Sequence, residues 1–89
     1  MSQYTQTESL SRMITALAQY IDELAADRAV LSEAAAACKA VLGNDDLSKK
    51  YVSQLEALHQ DIMAVQSAAE QMHHDLNGQL EKINWVYDG

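Results

Sequence analysis

The sequence predicts an all-α protein: an antiparallel hairpin of two long helices, expected to assemble into a four-helix bundle. Three observations carry this reading. Each half holds an apolar ladder with steps of three and four, one turn signal separates them, and the two ladders match when the halves fold together. The first ladder is Leu10, Ile14, Leu17, Ile21, Leu24, Arg28, Leu31, Ala35, Cys38 and Leu42. The second is Leu47, Tyr51, Leu55, Leu58, Ile62, Val65, Ala69, Met72, Leu76, Gln79 and Ile83. Such steps average about 3.5, the period of helices packed side by side through a narrow seam. If the chain reverses between residues 44 and 45, rungs at equal height are those whose numbers total 89 or 90. Leu42 then meets Leu47, Cys38 meets Tyr51, Leu31 meets Leu58, Leu24 meets Val65, Leu17 meets Met72 and Ile14 meets Leu76. Ala35 meets Leu55 and Ile21 meets Ala69, small against large, which fills a core without voids.

Helix one is expected over about residues 5–42. Thr5 with Glu8 three residues on has the form of a capping box. Gly43 can adopt the left-handed conformation of a C-terminal cap, and Gly43-Asn44 begins the turn over 43–46. Asp45 or Asp46 can cap helix two and oppose its positive end. Helix two is expected over about 47–83. Asn77-Gly78 could end it, but the apolar positions resume in register at Leu80 and Ile83, so the helix is read as continuous. Residues 84–89 are expected to fray. At about 1.5 Å per residue each helix would be roughly 50 Å long.

At 89 residues the chain is one domain, 1–89. The lack of proline and the two long periodic runs leave no room for a sheet. No apolar run of about 18 residues could cross a membrane, so membrane insertion is not expected. The start, MSQYTQTESLSR, lacks a basic segment followed by an apolar core and reads as no conventional signal peptide. Cys38 reads as a small seam residue and not as a reactive thiol. Thirteen Asp and Glu oppose six Lys and Arg, which argues against nucleic acid and anionic membrane as partners. The acidity reads as a solvated face.

Small residues form a second stripe: Ala18, Ala25, Ala29, Ser32, Ala36, Ala40 and Gly43 on helix one, with Ala57, Ala64, Ser67 and Ala68 on helix two. Alanine favours helix in any case; such a stripe can also clear a face for the close approach of another helix. Met13, Tyr20, Val30, Val41, Val52, Met63 and Trp85 lie off the expected seam, and exposed apolar groups of this kind mark partner contacts. Two helices bury only one seam, and a chain this short gains little stability from it. Association is therefore expected, with a second hairpin or with a partner's helices. The expected partner-binding residues are Met13, Tyr20, Ala25, Ala29, Ala36, Ala40, Met63, Trp85 and Tyr87.

Arg28 occupies a core rung, and Asp61 stands opposite it. The pair would fix register more than it stabilises; the alternative is that Arg28 bends to solvent along its aliphatic stem. Glu70 and His73 have the i, i+3 spacing of di-iron bundles, but in one copy only, with His59 about 21 Å away along the axis. His59, His73 and His74 are read as solvated histidines on the helix flank, so no metal or cofactor is expected. No nucleophile, base and orienting group fall together, and a rod lacks the cleft catalysis needs. Neither an enzyme nor a small-molecule substrate is expected. Tyr4, Trp85 and Tyr87 gather at the open end, either clamping the termini together or forming a recognition surface.

A proline-free acidic hairpin of this size resembles the WXG-type family of type VII secretion, and more closely the small hairpin partners of LXG toxins. Gly43 of Val41-Leu42-Gly43 falls where that family has the glycine of its Trp-x-Gly turn. The Trp85-Tyr87-Asp88 tail is a loose analogue of its C-terminal Tyr-x-x-x-Asp/Glu signal. The resemblance covers the whole chain in architecture and implies no catalytic residues. It implies a secreted or export-coupled protein that pairs with the helical N-terminus of a cargo and presents it to the secretion machinery; the chain is expected to be cytoplasmic, with type VII secretion as a signal-peptide-independent export route. The other reading is a homodimeric coiled-coil module, structural or regulatory, without cargo.

Overall fold

The computed structural model describes the backbone of residues 3–88 and the side chains of residues 6–84. Two helices, α1 (Gln3–Leu42) and α2 (Asp46–Asp88), pack against each other as a hairpin, and no strand occurs among the described residues. By backbone contacts the hairpin divides into two units: Glu23–Gln66, which holds the turn, and Met1–Asp22 with Ser67–Gly89.

The turn is built as its residues require. Gly43 takes a φ of 67°, and its N–H donates to the Lys39 carbonyl at 2.9 Å, satisfying one of the last carbonyls of α1. The Asp45 carboxylate then accepts the Ser48 N–H at 2.7 Å, and its carbonyl accepts the Lys49 N–H at 3.1 Å. Asp45 is therefore the N-cap of α2, the helix end where a side-chain acceptor is most useful.

The start of α1 differs from expectation. The helix runs from Gln3, so Thr5 lies within it, and the side chain of this expected capping residue is outside those described. Glu8 pairs instead with Arg12, one turn further on, at 2.6 Å. Helix α2 runs unbroken through Asn77-Gly78 and on to Asp88, beyond residue 83 where fraying was expected. Asn77 is held in the helix by its own side chain, which donates to the His73 carbonyl at 3.1 Å.

On α1 the seam follows the expected ladder: Leu24 is buried, and the other rungs from Leu10 to Leu42 are half-buried. On α2 half the ladder is displaced. Leu55, Ile62, Ala69, Leu76 and Ile83 face α1 as expected. The alternate rungs are Ser48, Val52, His59, Gln66, His73 and Leu80, each one residue beyond Leu47, Tyr51, Leu58, Val65, Met72 and Gln79, which are exposed. Both ladders have steps of three and four through the same five residues, so spacing alone does not separate them. The turn sets the phase. With Asp45 as cap, Ser48 is the first residue of α2 turned to α1, only 2% exposed, and later rungs follow from it.

Candidate interaction face

Two polar contacts mark the seam within unit 23–66. Cys38 Sγ lies 3.9 Å from both the carbonyl and the hydroxyl of Ser48. Arg28 donates from Nη1 to Gln66 Oε1 at 2.9 Å, not to Asp61, while its buried Nε has no hydrogen-bond partner among the described residues. Two causes displace the expected pairing. Helical side chains lean toward their own N-terminus, which in an antiparallel pair carries Arg28 toward higher numbers on α2. Asp61, moreover, is an exposed residue turned away from the seam.

Heptad lettering, with a and d at the seam, places Leu24, Leu31 and Cys38 at d on α1, and Leu55, Ile62 and Ala69 at d on α2. Positions c and g then flank the seam on one side and b and e on the other. Two open grooves in unit 23–66 show that like letters of the two helices share a side. One, of about 250 Å³, is lined by Asp27, Val30 and Leu31 with Leu58 and Ile62. The other, of about 400 Å³, joins Ser32, Ala36 and Lys39 to Glu56, His59 and Gln60.

The two sides differ in chemistry. Among the described side chains ten large hydrophobic residues are exposed: Met13, Tyr20, Val30, Val41, Leu47, Tyr51, Leu58, Met63, Val65 and Met72. All but Met63 occupy c or g. In unit 23–66 this gives an apolar face of Val30 (61% exposed), Val41, Leu47, Tyr51, Leu58 (52%) and Val65. In the other unit Met13, Tyr20 and Met72 also stand at g.

The expected partner-binding residues are therefore divided. Met13 and Tyr20 belong to the apolar series. Ala25, Ala29 and Ala36 lie exposed on the b and e side with Met63, and Ala40 points away from the seam. Trp85 and Tyr87 lie outside the described side chains. Spacing alone assigns Leu47, Tyr51, Leu58, Val65 and Met72 to the core, and the structure exposes them. The signal that could have found them is width: α2 is apolar at d and g together, and its a positions carry His59, Gln66 and His73.

The displaced phase also moves the histidines. His59 and His73 are half-buried seam residues and not flank residues, and only His74 is exposed. Among the described residues no three of the His, Cys, Asp and Glu side chains gather as a metal site would require. No helix among the described residues is long and apolar enough to cross a membrane.

The fold defines a helical hairpin with an apolar face in unit 23–66. No protein-family model, curated protein or solved structure matches the chain.

Proposed function

We propose that this chain is a non-catalytic helical interaction module whose apolar c and g face receives the helices of a protein partner. The partner we favour is a helical cargo of the LXG-toxin type, paired for type VII secretion. One observation carries the reading. Among the described side chains every exposed large hydrophobic except Met63 falls on two heptad positions, shared by both helices, while only Leu24, Val52 and Ala69 are buried apolar residues. Apolar a and d positions alone suit a two-helix seam; a third apolar position is the pattern of a helix facing a bundle core. Large unpartnered apolar patches are rare on chains that act alone.

The test is co-expression with the helical N-terminal segment of an LXG-type toxin from the same host. A stable complex that melts above the free chain is the expected result, because a ligand that binds only the folded form stabilises it. Leu58→Asp, which places a charge at the centre of the face, should abolish that complex. If the isolated chain melts cooperatively as a concentration-independent monomer and ignores the segment, the reading fails.

A further inference from the structure

The apolar face carries a charge pattern that selects among possible occupants. In unit 23–66 the charged residues at c and g are Glu23, Asp27 and Asp61, all exposed carboxylates, with Asp27 at the rim of the Val30–Leu58 groove. The cations of that unit lie elsewhere: Lys39 and Lys49 at e, Lys50 at f and Arg28 in the seam.

We propose that the occupant of this face is an α-helix of another chain, with its apolar stripe flanked by lysine and arginine, and not a second copy of this protein. The proposal rests on the reading that the face docks a helix. A helix laid along the groove by its a and d residues brings its own e and g residues over the flanks, where opposite charge favours pairing and fixes orientation. A symmetric dimer through the same patch would bring to it only the same three carboxylates and no cation, because an isologous interface uses one patch twice. Like charges brought together in this way disfavour that partner.

The probes are two synthetic helical peptides of about four heptads, long enough to hold helix. Both carry leucine at a and d; one has lysine and the other glutamate at e and g. Titrated into the intact chain and followed by fluorescence anisotropy, the lysine peptide should bind about tenfold more tightly or better. Asp27→Lys with Asp61→Lys should reverse that preference, and Asp27→Asn with Asp61→Asn, which leaves only Glu23, should reduce it. Glu33→Lys with Glu56→Lys changes net charge as much as the first pair but off the face, and should leave the preference intact.

Equal binding of both peptides, lost in Leu58→Asp, would overturn the charge proposal while the docking reading stands. So would a preference that Glu33→Lys with Glu56→Lys weakens as much as the on-face reversal. A tight self-dimer broken by Leu58→Asp would assign the face to a second copy. Binding of neither peptide would overturn both readings.

Discussion

Arg28 and Gln66 show how a polar pair behaves inside a narrow seam. One guanidinium N–H is satisfied by the Gln66 carbonyl oxygen, while the buried Nε has no partner among the described residues. Such a pair specifies more than it stabilises, because desolvating a charge offsets most of what the bond returns. Gln66→Leu removes the acceptor, leaves the cation in the seam and is expected to destabilise by about 1–3 kcal/mol. Adding Arg28→Met, so that both polar groups are gone, should restore wild-type stability or exceed it. Urea unfolding of the two variants checks this; a double variant no more stable than the single would show that Arg28 contributes more than its bond to Gln66. The arginine rung was legible in the sequence, since it interrupts an otherwise apolar ladder. Its partner was not, because equal height ignores the lean of a long side chain along its own helix.

At the scale of elements, the two interior glycines have opposite roles. Gly43 holds a left-handed φ of 67° at the end of α1, and a Cβ there would meet nothing within 4 Å, so a substitution strains only the backbone. Gly43→Ala is expected to destabilise by about 1 kcal/mol. Gly78 lies in the interior of α2 with equally open space around it. Gly78→Ala should therefore stabilise by about 0.5–1 kcal/mol, the helix propensity that glycine withholds. Asp45→Ala removes the N-cap and should destabilise by about 1 kcal/mol. Thermal melts of the three variants test these signs. Helix existence, the Gly43 cap and the phase of α1 were readable because each rests on a local signal. The phase of α2 was not. Spacing admits Leu58 or His59 equally, and choosing the more apolar residue is sound only if the seam is the most apolar line on the helix. Here Ser48, tied to the turn by the Asp45 cap, sets the line.

For the molecule as a whole, the misplaced rungs are the informative ones. Periodicity places Leu47, Tyr51, Leu58, Val65 and Met72 inside the hairpin, and the fold puts them at its surface. In the sequence the need for a partner rests on the little core one seam offers, on a small-residue stripe and on scattered apolar groups; the fold places nearly all the large exposed ones on two heptad positions. Loss of this face should change association far more than folding. Val65→Asp, at an exposed position, is expected to alter the melting temperature of the free chain by only a few degrees, since surface changes stay within about 0.5 kcal/mol. The same substitution should remove the partner-induced rise in that temperature.

The most direct measurement is thiol reactivity along α2. Cys38→Ser removes the native thiol, and single cysteines then replace Tyr51, Val52, Leu58 and Val65 in turn, labelled at dilutions where the chain sediments as a monomer. Cysteines at 51, 58 and 65 should react at close to the rate of a free thiol and become protected when a helical partner is added, while the cysteine at 52 stays protected throughout. Fast labelling at 52 with protection at 51, 58 and 65 in the free chain would place those residues in the seam and contradict the docking face.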